Sequence, residues 1–485
     1  MNIEDNTYFI INQFTTALLC LFFVYFLWRD YSSKNDSLFK RVSPTIIIPA
    51  LLSMFAVLFI YFLNNFGLEA FFLAFSFAMA LTFSVLDPKY AVSFFIFLLI
   101  SRPWENFHNE LMLSMPRDTF FVCFLSFAGH KILRRQFFFE WSASTALLLA
   151  YACWTFFGAV LSGQSSIALH EFSEVFVKGI IAYILIVNVI DREEVILPVQ
   201  AALILAVSEK AAISFYKSYI LGIVADGGRL TSVGILENSN DIAAILILGI
   251  PFLVMFFKDL GNKAISIFLS LLVSGVFVAL IWESKSRGAV LALGALVVAA
   301  IWLRARNKRI ATMVMVLGAV GMVGLMSTVK RDSKDLDGST NNRIIYWKAG
   351  INMGVRNPLF GVGLAGYNRN LLQYAEGHVG SEGKNKTIHS TWLLALAESG
   401  IPGFLFYCSM WPLALMAAYR IRENHPEYFL SIVSYGLAIT FLSHTYMLYP
   451  YILLAMTVAS SKLGHRKEEV SYLSDVTLGS GVKVC

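Results

Sequence analysis

Long apolar runs separated by short polar segments make up most of the chain. The runs lie near residues 8–28, 44–65, 68–86, 90–101, 117–133, 142–162, 172–190, 195–222, 240–257, 264–282, 288–303, 308–327, 389–420, 428–443 and 446–461. Most of them approach the ~20 residues that an α-helix needs to cross a bilayer. The pattern therefore predicts an all-α, polytopic transmembrane helical bundle of about 12–15 spans.

Residues 328–388 form the one long polar segment. Around it, we divide the chain into five parts. We expect transmembrane helices in residues 1–222 and 223–327, a large loop with short amphipathic helices in 328–388, transmembrane helices in 389–461, and a tail in 462–485. Lys and Arg outnumber Asp and Glu in the loop. A basic loop beside a membrane indicates an anionic ligand at the surface.

Clusters of basic residues predict how the chain threads the membrane. Segments 131–135, 304–309, 419–423 and 462–469 are rich in Lys and Arg, which places them in the cytoplasm. If the N-terminus lies outside and successive spans cross in alternating directions, all four clusters fall in the cytoplasm. The same path places the loop at 328–388 on the outer face, together with the shorter loops at 102–117, 224–238 and 283–287.

Composition and motif spacing exclude several classes of function. Of the 485 residues, 57% are hydrophobic and 14% charged, which is typical of a polytopic membrane protein. Basic residues lie at segment ends, so we expect no nucleic-acid partner. The five Cys residues show no CxxC spacing, and no His pair has metal-ligand spacing. The Gly361–Gly366 run matches GxGxxG, but no strand precedes it, so tight turns explain it better than a dinucleotide site.

Three arginines on the predicted outer side are candidates for phosphate binding. Arg229 follows two glycines just before a span, and Arg287 begins another span. A guanidinium can hold a phosphate through two parallel hydrogen bonds. Arginines at span ends also anchor helices at the membrane surface, so neither residue is decisive alone. Arg343 belongs to the large loop.

The loop contains a predicted amphipathic helix, Asn341–Arg356, lying on the membrane. Its apolar positions are Ile344, Trp347, Ile351 and Val355. Arg343, Lys348 and Arg356 lie on or beside the polar side. Pro358 ends the helix, because the residue before a proline disfavours helical geometry.

His389 is the sharpest candidate for catalysis. Thr387 or Ser390 can cap the helix that begins here, so the imidazole lies near a positive helix end and stays neutral. A neutral imidazole can remove a proton from a hydroxyl group. Glu398 falls on the opposite side of the helix and should not orient His389. A single interfacial histidine is more often structural, but here outer-side arginines accompany it.

In four stretches the chain resembles the O-antigen ligase and polysaccharide polymerase superfamily of bacterial inner-membrane proteins. They are GRLTSVGILENSNDIA (228–243), SRGAVLALGALVV (286–298), NNRIIYWKAGINMGVRNPLFGVGLAGY (341–367) and HSTWLLALAESGIPG (389–403). The resemblance covers about the C-terminal half. It implies a multi-pass inner-membrane protein with its active site facing the periplasm and its C-terminus in the cytoplasm.

The resemblance also implies the substrates and the roles of the residues. The donor is a glycan on undecaprenyl diphosphate, and the acceptor is lipid A core or a growing glycan. Arg229 and Arg287 match positions for the diphosphate, Arg343 matches a recurring loop arginine, and His389 matches the residue that activates the acceptor hydroxyl. Further partners are membrane lipids and a chain-length regulator. No cofactor or metal is implied, and the lack of a suitable carboxylate pair predicts an inverting, single-displacement glycosyltransferase.

Two other classes of function remain open from the residues alone. A flippase or transporter for the same lipid would carry charges deep in the bundle, and Glu209 and Lys210 lie within a predicted span. A structural scaffold would explain the hydrophobicity but not the basic outer loop. The sequence does not separate a ligase from a polymerase, nor does it identify the sugars.

Overall fold

A computed structural model describes residues 3–32, 78–84, 86–105, 110–133, 135, 139–225, 227–258, 262–307, 309, 312–313, 333–376 and 386–480. These residues form helices and turns without any strand. The predicted all-α class is therefore confirmed.

The main helices of the described residues are numbered here in chain order. They are α1 (Ile3–Ser32), α2 (Pro88–Ser101), α3 (Glu110–Leu133), α4 (Ala143–Leu161), α5 (Ser165–Glu171), α6 (Val177–Val189), α7 (Glu193–Phe215), α8 (Ser239–Lys258), α9 (Lys263–Glu283), α10 (Arg287–Arg304), α11 (Ser333–Arg356), α12 (Tyr367–Tyr374), α13 (Thr391–Arg420), α14 (Pro426–Ala438) and α15 (Leu448–Ser480). A π-helical turn, Phe172–Phe176, joins α5 to α6 without a break.

Eight helical segments in the described part of the chain are long and apolar enough to cross a membrane. They are Ile10–Leu27, Ala143–Leu161, Ser165–Val189, Glu193–Ile220, Ser239–Lys258, Lys263–Glu283, Arg287–Arg304 and Thr391–Arg420. The protein is thus a multi-pass membrane protein. The runs near 44–65, 68–86 and 308–327, which contribute to the expected total of about 12–15 spans, lie wholly or mostly outside the described residues.

One compact unit contains α1, α2, α3, α7 and residues 230–238. The Glu209 side chain of α7 is fully buried in it and accepts hydrogen bonds from Asn12 Nδ2 at 2.9 Å and Thr15 Oγ1 at 2.7 Å, both on α1. Lys210 is also buried, and its Nζ has no hydrogen-bond partner among the described residues. Glu209 therefore bonds to another helix, α1.

The second unit contains α4 to α6 and α8 to α15. A buried cluster in it joins α11, α12 and α13, and its members are Tyr346, Ala349, Met353, Tyr367, Leu371, Ile388 and Ala397. Two glycines let α11 approach closely. A Cβ atom at Gly350 would lie 2.2 Å from Ile388 Cδ1, and one at Gly354 would lie 2.6 Å from Leu396 Cγ. The loop helix is therefore docked firmly on the bundle.

The docked side of α11 is not the face that the sequence singled out. Ile344, Ile351 and Val355 are 46%, 42% and 65% exposed, whereas Tyr346 and Met353 are buried. The helix thus has two apolar sides, one packed on the protein and one left outside. Contact of the outer side with the membrane stays a prediction. The helix ends at Arg356, as Pro358 predicts, and it begins at Ser333, eight positions before the predicted start.

Helix α13 is broken at Gly400, which has φ 67° and ψ −170°. A Cβ atom there would lie 2.3 Å from Leu359 O, so the 357–363 segment packs directly on the break. The whole of α13 spans ~45 Å at 1.5 Å per residue, more than the ~30 Å of a hydrocarbon core. Residues 401–420 alone suffice for one crossing. The helical residues before Gly400 are therefore not needed for a crossing.

Candidate active site

Arg229 is held between the start of α8 and the end of α9. Its Nε donates to Ser284 O at 2.9 Å and its Nη2 donates to Asn240 Oδ1 at 2.8 Å. The turn before it is possible because Gly227 and Gly228 have φ of 73° and 63°. These two directed hydrogen bonds fix the orientation of the guanidinium group.

Arg287 is the first residue of α10. Ser286 caps this helix by accepting a hydrogen bond from Ala289 N. The Nε atom of Arg287 is buried and has no hydrogen-bond partner among the described residues. A buried guanidinium nitrogen without a partner is costly, so this position is suited to an anionic ligand. Ser284, which Arg229 holds, lies only three positions before Arg287.

His389 precedes α13 in a left-handed backbone conformation, with φ of 50°. Its N–H donates to Ser443 Oγ at 3.1 Å, and Ser390 caps α13 by accepting from Leu393 N. Of the two predicted caps, Ser390 is the one that acts. Thr387 instead lies with its Oγ1 atom 3.4 Å from His389 Nε2.

The surroundings of His389 lower the pKa of its imidazole to about 4. Burial is the largest cause, and the positive charge of Arg343 is the next. Asp241 raises the pKa, while Lys386 and Arg229 lower it further. The positive charges of Arg343 and Arg229 therefore both act on this imidazole. The ring is consequently neutral at ordinary pH and able to accept a proton.

Arg287 approaches the same group of residues from α10. A Cβ atom at Gly288 would lie 2.9 Å from Phe441 Cδ2, so the start of α10 packs against the turn before Ser443. Ser443 in turn holds the backbone of His389. The four candidate residues therefore all belong to one unit, on elements that contact one another.

A buried polar clamp fixes the backbone below His389. Thr391 Oγ1 donates to Leu442 O at 2.8 Å and accepts from His444 N at 3.0 Å. Thr445 Oγ1 donates to Thr391 O at 2.7 Å. Thr391, His444 and Thr445 are each fully buried. This clamp ties the start of α13 to segment 442–445.

The clamp continues into a chain of three side chains that the sequence analysis missed. His444 Nε2 lies 2.9 Å from Asp241 Oδ1, and His444 Nδ1 lies 2.8 Å from the Tyr435 hydroxyl. Since an ionised carboxylate only accepts, Nε2 donates to Asp241 and Nδ1 accepts from Tyr435. Asp241 adjoins Asn240, which holds Arg229. The first turn of α8 thereby links the phosphate-binding candidate to the histidine clamp. In the sequence, these residues could have been found as polar positions, 240–241 and 443–445, next to apolar runs.

We expect Asp241→Asn to lower the catalytic activity of this site about tenfold, the effect of weakening one charge-assisted hydrogen bond. The variant also loses a charge that raises the pKa of His389. The acid limb of the pH–rate profile should therefore move to lower pH, which a purely structural role would not cause. Lys258→Ala, at the exposed far end of α8, is the matched control. An unchanged profile in Asp241→Asn would contradict the proposed positioning role.

Glu398 is turned away from His389, as expected from its helical spacing. Its Oε1 accepts from Tyr367 N at 3.0 Å, so it holds the Gly361–Gly366 turn. That turn needs glycine: Gly361 has φ of 64°, and a Cβ atom there would lie 2.3 Å from Ala397 O. Backbone conformation and close packing account for this turn, as predicted. Across the described ranges, no three His, Cys, Asp or Glu side chains gather as metal ligands.

Comparison with known families gives one match. Residues 276–408 match a family model whose description is O-antigen ligase. The matched region runs from α9 to α13, so it includes Arg287, Arg343 and His389, while Arg229 precedes it. A comparison with curated proteins gives no significant match.

Proposed function

We propose that this chain, whose residues 276–408 match the O-antigen ligase family, transfers a glycan from undecaprenyl diphosphate to an acceptor hydroxyl. The observation that carries this proposal is the neutral, positioned imidazole of His389 with Arg343 and Arg229 around it. The acceptor is lipid A core or a growing glycan. We further propose that the site faces the periplasm, in agreement with the distribution of basic clusters.

His389 acts as the general base in this proposal. The acceptor oxygen attacks the anomeric carbon, its proton passes to the imidazole, and the bond from that carbon to the diphosphate oxygen breaks. Proton removal by a positioned base contributes typically ~10²–10⁴-fold to a rate. The pKa of about 4 keeps the base free of a competing proton at neutral pH.

The arginines stabilise the leaving group. Undecaprenyl diphosphate gains negative charge as the glycosidic bond breaks, and fixed guanidinium donors that are partly withdrawn from water stabilise that charge. Arg287 offers a buried Nε without a protein partner, and Arg229 is held by Ser284 and Asn240. Because cationic side chains supply this charge, we expect transfer to persist in a metal chelator.

We propose a single displacement with inversion at the anomeric carbon. A double displacement would need a carboxylate nucleophile close to an acid–base carboxyl, ~5 Å apart. The nearest described carboxylates are committed elsewhere, Asp241 to His444 and Glu398 to the backbone of Tyr367. An NMR-determined linkage that keeps the donor's anomeric configuration would contradict this mechanism.

A transporter for the same lipid is the second candidate, favoured by one observation. Glu209 and Lys210 are completely buried on α7, and Lys210 Nζ has no hydrogen-bond partner among the described residues. Buried charges in membrane helices often mark transport pathways. They lie in the first unit, whereas His389 and the arginines lie in the second. The family match, residues 276–408, lies within the second unit, which favours transfer.

The glycans of a deletion strain test the proposal. Loss of a ligase should leave long chains unattached on the lipid carrier. Loss of a polymerase should leave single repeats on lipid A core, and a chain-length regulator would then have no effect on glycan length. Wild-type protein should restore the glycan and His389→Ala should not. Lipid-linked units that accumulate only on the cytoplasmic leaflet would indicate the transporter, and an unaltered glycan would exclude all of these functions.

A further inference from the structure

A cavity of about 550 Å³ lies between the turn after α4 and segment 357–374, which ends in α12. Its volume is within the range of small-molecule sites in proteins. The polar side chains that line it are Ser162, Gln164, Asn357, Arg369, Asn370 and Tyr374. All of the lining belongs to the unit that holds His389. Neither the candidate base, His389, nor the three candidate arginines line this cavity.

The chemistry of the lining favours an uncharged ligand with many hydroxyl groups. Among the described lining residues, amides and hydroxyls supply most polar side-chain atoms, and Arg369 is the one ionised group. Arg369 donates to Gln164 Oε1 at 3.0 Å, and its other donors remain for ligand oxygens. Amides both donate and accept hydrogen bonds, as sugar hydroxyls do. Leu161 and Phe360 add apolar surface for the C–H faces of a sugar ring.

The polar groups retain capacity for a ligand after their bonds within the protein are made. Asn357 uses both amide hydrogens, donating to Met353 O at 3.0 Å and to the Tyr374 hydroxyl at 2.9 Å. Its carbonyl oxygen and the hydroxyl hydrogen of Tyr374 remain for other partners. Asn370 donates one hydrogen to Gly366 O at 2.8 Å, which leaves its other hydrogen and its carbonyl oxygen.

The cavity wall is rigid. Phe360 stacks on Trp154 with ring centroids 4.7 Å apart. Trp154 Nε1 donates to Leu359 O at 3.0 Å and Ser399 O at 3.1 Å. Val362 N donates to Ala397 O at 2.8 Å. A preformed site loses little conformational entropy when it binds a ligand.

From this lining we propose that the cavity binds a sugar residue of the glycan substrate, remote from the bond that reacts. The proposal rests on the proposed glycan transfer, which supplies the saccharide. Arg343, in the middle of α11, acts on the charge of His389, whereas Asn357, directly after the end of α11, lines the cavity. These two residues are ~20 Å apart at 1.5 Å per residue. Binding a distant part of the substrate helps to orient the reacting end. The sugar belongs either to the lipid-linked donor or to the acceptor.

Equilibrium binding to the full chain in lipid nanodiscs tests this inference. One probe is the repeat oligosaccharide released by mild acid from the lipid-linked donor that accumulates in a deletion strain. The other is the deacylated core oligosaccharide from the same strain. We expect Asn370→Ala and Tyr374→Phe each to weaken binding roughly fivefold to tenfold, the effect of one lost hydrogen bond. Gln373→Ala, exposed on α12 and outside the lining, is the control.

Each outcome decides the matter. Binding of the repeat assigns the cavity to the lipid-borne glycan, and binding of the core assigns it to the acceptor; both support the inference. The inference is overturned if the wild type binds neither probe, or if both cavity variants bind as tightly as the wild type. His389→Ala should bind as tightly as the wild type. A wild type that binds a probe but transfers no glycan would overturn the proposed function and leave the cavity as a sugar site.

Discussion

His389→Ala eliminates measurable glycan transfer, while the protein still inserts and folds. The expected loss is at least ~10²–10⁴-fold, the usual contribution of a general base. The half-buried imidazole is neutral because burial and Arg343 lower its pKa to about 4. Transfer should therefore be constant from neutral pH down to about pH 5 and fall as the pH passes through the pKa, where the ring becomes protonated. The measurement is initial transfer rate against pH in proteoliposomes.

The control for this prediction is His170→Ala. His170 is exposed on α5, and its recorded hydrogen bond uses its backbone oxygen, which accepts from Ser173 Oγ. Full transfer by the His389→Ala protein, at wild-type membrane abundance, would exclude the general-base role. The other candidate residues would then need a different mechanism.

Arg287→Lys lowers transfer by on the order of 100-fold, although the charge is retained. A guanidinium presents a planar fork of donors, whereas an ammonium is a single point of charge. The Nε of Arg287 is buried without a partner among the described residues, so an anion that reaches it can be held by two parallel hydrogen bonds. Lysine cannot reproduce that geometry. The measurement is the transfer rate at saturating donor, with donor affinity determined separately.

Arg304→Lys makes the same substitution at the exposed other end of α10 and should leave transfer unchanged. If Arg287→Lys retained wild-type transfer, charge alone would be sufficient at this position. The proposed two-point grip on the diphosphate would then be wrong.

Local features of the fold were predictable from the sequence. Apolar runs of span length predicted the helical bundle, and Ser390 and Pro358 predicted the start of α13 and the end of α11. These features depend on residues only a few positions apart, where capping chemistry and proline geometry decide the structure. The family resemblance from short motifs is confirmed for residues 276–408.

Long-range features were not predictable in this way. Asp241 and His444 lie 203 positions apart in the chain, and no local pattern indicates that they meet. The docked side of α11 was missed because it relies on Ala349, Gly350 and Gly354, small residues that carry little hydrophobic signal. Close packing at these small residues adds to the buried side chains of Tyr346 and Met353 in holding that helix against α13.

The left-handed backbone at His389 has a further consequence for how this protein is built. An L-residue in that conformation costs about 1 kcal/mol relative to glycine, which adopts it freely. A histidine there is less favourable for folding than the simplest alternative, and the Ser443 and Thr391 contacts offset the strain. At this position, glycine would favour the stability of the folded protein, whereas the proposed reaction needs an imidazole. The chain has the residue that serves the reaction.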